Sequence, residues 1–449
     1  MRTEPGPRED QEDRMGSAVK WLAFAVCVAG LVWGPFARTF EDVRRYGYMA
    51  DIMPSDWRAT NIWLDSTECT VSRGVWLALC EDGRLIPISE RAIADDPGHA
   101  LLLSAWAAIT GKRATLVDVA RLSTLLNTIG LVALAGLLFS LRAWIASIVL
   151  LALGPAEFLG WMGTSPHWAF IGMVSLAGIL PLAIATRSGR AWIAGGIVAL
   201  AVVTLVRESI GLMGFALTLG AVAAMAFLQR PRPARALLRS ALVIVLAAGA
   251  LLAPKWVTLA RDAAFPMAPA ERLQTHGLSH TLYLGLGFVE NKWGIRYDDD
   301  YGEDLANKAG IVFCSPEYFR LMWRLYVDRI VEDPVELARI YWEKALQLLA
   351  VPTLHPGPPF GIVLAIGLVH LLVSTWLGLW RRVGLPQGLP IEAISLAFLG
   401  LFLAQAILAL PSHMYALPVN AFILVLFGIL VEFAARGLWT VLSKRRRSI

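Results

Sequence analysis

Ten apolar runs, all but the short 191–206 long enough to cross a bilayer, divide this chain: 19–36, 117–141, 143–162, 167–185, 191–206, 209–228, 236–257, 359–379, 391–410 and 415–434. As helices, runs of roughly 17–25 residues span a hydrocarbon core of about 30 Å with every backbone polar group bonded internally. A water-facing surface usually demands about 25% charged residues; here 17% are charged and 57% hydrophobic, with a mean hydropathy of +0.58. The expected fold is an all-α polytopic membrane protein of about ten transmembrane helices. The shortest run, 191–206, pairs with 209–228 across Arg207-Glu208-Ser209 and reads as a hairpin.

Arg142, Arg187 with Arg190, the group Arg230, Arg232, Arg235 and Arg239, Arg381 with Arg382, and the tail Lys444–Arg447 fall on one side. By the positive-inside rule that side is cytoplasmic, as are both termini. The net charge of +5 then reflects topology and calls for no nucleic-acid partner. The expected divisions are a disordered cytoplasmic tail (1–18), an N-terminal membrane module (19–257) with outer loop 37–116, an outer segment (258–358), C-terminal membrane helices (359–434) and a basic tail (435–449). The first run lacks a small-residue cleavage site and reads as an uncleaved span. Abundant arginine, alanine and leucine suggest a GC-rich bacterial genome, which places the protein in a bacterial inner membrane.

Only 37–116 and 258–358 are long between spans, so any chemistry is expected on the outer face. Six of the seven histidines, His99 and His280 among them, fall in outward loops or at their edges; only His370 is mid-span. Ser315-Pro316-Glu317 and Asp333-Pro334-Val335-Glu336 combine a capping oxygen, a proline at the first helical position and an early acid. They predict helices near 316–331 and 334–350. Phe319, Met322, Trp323 and Tyr326 are expected to pack against Leu337, Ile340, Tyr341 and Leu348. Before them, "SHTLYLGLGFVENKWGIRYDDDYG" (279–302) mixes glycines with His280, Asn291, Trp293, Arg296, Tyr297 and Asp298–Asp300. That mixture suits a sugar, with hydroxyls to bond and a face to stack; a structured loop with a solvated acidic turn is the alternative. No cofactor is expected. A divalent metal on Asp298–Asp300 is a minor alternative, because consecutive carboxylates point in different directions.

Cys69 and Cys80, in "ECTVSRGVWLALC", form a disulfide if they face an oxidising periplasm, or stay as two thiols. Thr39 and Asp42 fit a capping box leading into an interfacial amphipathic helix through Val43, Tyr46 and Met49.

Asp42, Tyr46 and Ala50 just after the first span resemble the start of the first outer loop in GT-C membrane glycosyltransferases, the class of protein O-mannosyltransferases and aminoarabinose transferases. "DDPGHALLLSAWAAITGKRATLVDVARLSTLLNTIGLVALAGLLF" (95–139) resembles their interfacial helix and the opening of span two. "ALAVVTLVRESIGLMGFAL" (199–217) resembles their hairpin with an arginine at the outer bend. "PSHMYALPVNAFILVL" (411–426) resembles their last span, although the arginine that usually precedes Tyr415 is missing. These pieces cover about half the chain.

The resemblance implies a GT-C-like fold that moves a sugar from a polyprenyl-phosphate carrier to a glycan, lipid or protein acceptor at the outer bilayer surface. Such a transfer needs a base for the acceptor hydroxyl and cationic donors for the leaving phosphate. Asp42 is the expected base, with Glu41 second. Arg207 is the expected phosphate ligand, since an arginine within a long apolar stretch is costly; pairing with Glu208 or Glu157 is its structural alternative. Lys255 and Arg261 are further phosphate candidates. His99, His280, Tyr46, Arg296 and Tyr297 are candidate substrate contacts. A transporter or lipid flippase for a lipid-linked glycan is the rival reading.

Overall fold

A computed structural model describes residues 7–41, 58–91, 96–158, 170–228, 234–268, 270–272, 277–354, 357–409, 411 and 417–447. In chain order the first part comprises α1 (Pro7–Leu31), α2 (Trp33–Glu41), α3 (Arg58–Arg73), strands β1 (Ala78–Glu81) and β2 (Arg84–Pro87), and α4 (Gly98–Thr110). The membrane module continues through α5 (Leu116–Ser140), α6 (Trp144–Phe158), α7 (Phe170–Ala177), α8 (Ile179–Ala185), α9 (Arg190–Val206), α10 (Glu208–Leu228) and α11 (Ala234–Leu251). Next come α12 (Ala253–Ala264), α13 (Gly277–Gly285), α14 (Asp299–Lys308), α15 (Pro316–Glu332) and α16 (Pro334–Ala350). The chain closes with α17 (Phe360–Trp376), α18 (Leu379–Arg382), α19 (Gly388–Leu408) and α20 (Asn420–Arg447).

Four helices are long and apolar enough to cross a membrane: Leu116–Ser140, Glu208–Phe227, Gly388–Leu408 and Asn420–Ser443. Two bent pairs, Ala18–Leu31 with α2 (42°) and Leu237–Leu251 with α12 (55°), raise the number to six among the described residues. The runs at 143–162, 167–185, 191–206 and 359–379 give apolar helices of at most 17 residues, about 25 Å or less at 1.5 Å per residue. The chain is therefore a mostly helical protein with four to six candidate membrane-crossing helices. The 191–228 hairpin forms as expected, with a single-residue break at Arg207 between α9 and α10.

The bundle core lies where α5, α6, α7, α19 and α20 meet, around Leu134, Leu150, Met173 and Phe398. Phe398 stacks on Phe422 at 4.4 Å. At one end of the bundle the buried Glu432 of α20 accepts from the Ile145 amide at 2.6 Å, and Arg436 bonds both Glu432 and the Arg142 carbonyl. That network satisfies an amide at the start of α6 that its own helix leaves open.

Both long polar segments sit at the opposite end, called the outer end below. The Arg261 guanidinium joins them, donating to the Leu77 carbonyl at 2.7 Å. The first segment contains one departure from the helical expectation: β1 and β2 pair antiparallel, Leu79 opposite Ile86. Asp82 and Gly83 both have positive φ at its turn, the backbone a two-residue hairpin requires and Asp-Gly supplies. That dipeptide was the available signal. Cys69 and Cys80 form a disulfide between α3 and β1, which settles the alternative left open above.

In the second segment α15 and α16 begin where expected. The Ser315 side chain accepts from the Tyr318 amide, and Asp333 accepts from the amides of Val335 and Glu336. The packing face is rotated from the expected one: Tyr318, Met322 and Tyr326 are buried, whereas Trp323 is half exposed. Positions 318, 322 and 326 keep a strict four-residue spacing, which leaves Trp323 one step off the stripe.

Candidate functional site at the outer end

Arg207 breaks the α9–α10 hairpin with extended backbone, φ −154° and ψ 103°. Its guanidinium pairs with Asp96 at 3.4 Å, both side chains largely buried. The alternatives weighed from sequence, Glu208 and Glu157, are not this partner; the Glu157 carboxylate accepts from Asn420 at the start of α20. The pair spans 111 residues of sequence and depends on a close backbone approach. A Cβ on Gly98 would lie 2.5 Å from the Leu205 carbonyl carbon, so only glycine lets the start of α4 rest on the end of α9.

His99 follows on the first turn of α4. It is buried and stacks flat on Trp63 of α3, ring centroids 4.7 Å apart. The Trp63 indole Nε1, the Thr60 hydroxyl one turn earlier, and the Ser104 and Ser209 hydroxyls are buried with no hydrogen-bond partner among the described residues. Buried polar side-chain atoms nearly always have a protein or water partner. A group of unmet donors beside a largely buried ion pair is therefore chemically able to receive a polar ligand or water.

Asp42 and Tyr46 lie outside the described residues, as does the expected helix through Val43 and Met49. Thr39 does not start a helix: it lies in the last turn of α2, which begins at Trp33. Glu41 is the exposed last residue of α2. Arg121 of α5, from the "ARL" that opens span two, donates to the Phe40 carbonyl at 3.3 Å and sits over the Phe40 ring. This arginine places a cation on the residue just before Glu41. Its role was not read from sequence, although the motif containing it was.

Of the other phosphate candidates, Lys255 stands exposed on the first turn of α12, beyond the 55° bend. Arg261 is buried and occupied by Leu77 and by Asp262, which takes two of its nitrogens. It serves as a tie between segments.

The 279–302 stretch spends most of its polarity on itself. His280 Nδ1 meets the Tyr318 hydroxyl at 2.7 Å, and Nε2 meets Asp299 at 3.2 Å. Asn291 donates to the carbonyls of Val289 and Ile295 and accepts from the amides of Trp293 and Ile295. Asp298 caps α14. Burial holds the Tyr318 phenol well above its ordinary pKa and pushes the Cys314 thiol up to about 12. Arg296 lies over the Tyr301 ring, and the exposed Tyr297 meets Phe288 edge-on. His280 packs on Tyr318, which lies in one core with Met322, whereas Trp63, on which His99 stacks, belongs to another built on Leu77 and Leu103. Among the described residues, no group of three His, Cys, Asp or Glu side chains could hold a metal.

Buried charged side chains, Lys344 and Glu392 among them, escaped the sequence reading. Lys344 of α16 is fully enclosed and donates to the carbonyls of Gly285 at 3.0 Å and Ala409 at 2.8 Å. Desolvation pulls its pKa down to about 7, while the carbonyls, at the ends of α13 and α19, favour the ammonium form. In the bundle, Glu392 of α19 bonds His370 of α17 at 2.6 Å, with Phe433 and Trp380 edge-on to the imidazole. Glu392 had no signal in the sequence beyond an acid in an apolar run. No family model, no characterised protein and no solved structure matches this chain.

Proposed function

We propose that this protein is a GT-C-type glycosyltransferase of a bacterial inner membrane, with both termini cytoplasmic and ten spans. It moves a sugar from a polyprenyl-phosphate donor to an acceptor at the outer face. The observation that carries the reading is the corner at Arg207: a largely buried arginine–aspartate pair at a hairpin bend, next to an α3–α4 core with unmet hydrogen-bond donors. An arginine at the edge of the apolar bundle suits a phosphate bound to a lipid tail, and Trp63, Thr60 and His99 suit a sugar.

In the proposed reaction the Asp42 carboxylate takes the proton of the acceptor hydroxyl. The acceptor oxygen bonds to the anomeric carbon as the carbon–phosphate oxygen bond breaks. Arg207, with Arg121 against Phe40, meets the charge that develops on the departing phosphate. Glu41 is the reserve base, and Lys255, Arg296 and Tyr297 are peripheral substrate contacts. Asp42→Asn removes the base with little change in shape. Membranes carrying this variant are expected to accumulate the lipid-linked sugar and lose the glycosylated product. A stable, fully active variant would exclude Asp42 as the base.

One observation favours the rival reading of a transporter or lipid flippase. His370 and Glu392 pair among the apolar helices, and ionisable groups there often mark a transport path. Movement of a lipid-linked glycan across vesicles by the purified protein, with no product formed, would select that reading.

A further inference from the structure

Helix α16 carries three faces. Leu337, Ile340, Lys344 and Leu348 are buried against the protein. Glu336, Arg339 and Glu343 form a charged arc joined by ion pairs. The third arc is apolar and uncovered: Val335 is 77% exposed, Trp342 66% and Leu346 48%. At 100° per residue these three positions fall within about 40° of one another, on the side opposite Lys344.

The chain's path indicates what covers that arc. The ends of the connection between α16 and α17 are tied together: the Phe360 amide donates to the Val351 carbonyl at 2.9 Å, and Pro352 bridges Pro359. The end of α16 is thereby held against the start of α17, and Gly361 packs on Leu349. Helix α17 exposes its own apolar row at Ile362, Ile366, Val369 and Val373. The uncovered arc of α16 thus adjoins the uncovered face of an apolar helix of the bundle.

We propose that α16 lies in the outer leaflet interface, with Val335, Trp342 and Leu346 in the acyl region and the Arg339–Glu343 arc in the headgroups. The occupant of the apolar arc is the lipid surface. A tryptophan flanked by ion-paired side chains is the composition of an interfacial helix. Lys344, on the opposite side, fastens the helix to the carbonyl ends of α13 and α19. The inference concerns how the second outer segment is seated and does not depend on the glycosyltransferase reading.

Nitroxide labels on Trp342→Cys and Leu346→Cys, each in the full chain reconstituted into phosphatidylglycerol–phosphatidylethanolamine vesicles, test the seating. Glu343→Cys is the comparison, and the unsubstituted protein reports background from Cys27 and Cys314. Positions 342 and 346 are expected to relax several-fold more with oxygen than with a water-soluble nickel chelate, and position 343 to show the reverse. Strong nickel accessibility at 342 and 346 would place the arc in water. Protection from both reagents would place a second copy or another protein on it. Either result overturns the proposal, and neither depends on measured activity.

Discussion

The two outer segments handle buried polarity in opposite ways. In the second, His280, Asn291 and Lys344 each find bonded partners, Arg329 Nε alone among its described buried polar side-chain atoms has none, and its core on Tyr318, Met322 and Ile340 belongs to the segment itself. In the first, Trp63, Thr60, Ser66 and Ser104 keep buried atoms with no partner among the described residues. Its core also draws on Val119 of α5 and Val257 of α12. The second segment has the character of a scaffold, with a core of its own and a polar tie from Lys344 to the bundle. The first leaves buried donors whose partners are not among the described residues, the arrangement expected where water or a polar ligand binds.

The sharpest way to break this contrast is Arg207→Ala. It removes the guanidinium paired with the largely buried Asp96 carboxylate, which is expected to destabilise the fold by up to about 3–5 kcal/mol, and it is expected to abolish transfer. Arg296→Ala, at an exposed ring contact in the second segment, is expected to leave the melting temperature nearly unchanged. Thermal unfolding of both variants in detergent, alongside product formation, gives the comparison.

Cys69→Ser comes next. Opening a short loop between α3 and β1 is expected to cost about 2–3 kcal/mol. Because the first segment shares its core with α5 and α12, the loss should appear in the melting of the whole protein. Limited proteolysis confined to the first segment, with bundle melting unchanged, would show the two to be uncoupled.

Lys344 sharpens the contrast through pH. Its folded pKa of about 7 lies below the ordinary lysine value of 10.5, so above pH 7 the unfolded chain binds more protons. Stability contributed through this group therefore rises between about pH 7 and pH 10, and the cost of burying the ammonium is fully present below pH 7. The bonds to Gly285 and Ala409 oppose the shift. The melting temperature of the unsubstituted protein is expected to rise by several degrees from pH 7 to pH 9.5, and that rise is expected to vanish in Lys344→Met.

The smallest effect, with an unusual sign, belongs to Trp63→Phe. It keeps a ring against His99 and removes an unpartnered N–H, so stability is expected to hold or gain up to about 1 kcal/mol. If that N–H serves a ligand, activity falls at the same time. A loss of both stability and activity would mean that the indole is only packing.

Apolar runs, helix caps and turn residues are local, and local patterns were readable. The hairpin at Arg207 and the starts of α15 and α16 come from such patterns. The strand pair was equally local, signalled by Asp82-Gly83, and was passed over. Trp323 was misplaced because a helix face shared by neighbouring positions has a phase that only its partner surface selects.

The sequence by itself determined that this chain is mostly helical, with apolar helices long enough to cross a membrane and two long polar segments, since the length and composition of an apolar run are local properties. Only tertiary structure decided that Arg207 meets Asp96, that His99 stacks on Trp63, and that Lys344 closes on Gly285 and Ala409. The physical reason is range: a buried charge must find its partner in three dimensions, and the residue that supplies it can lie a hundred positions away.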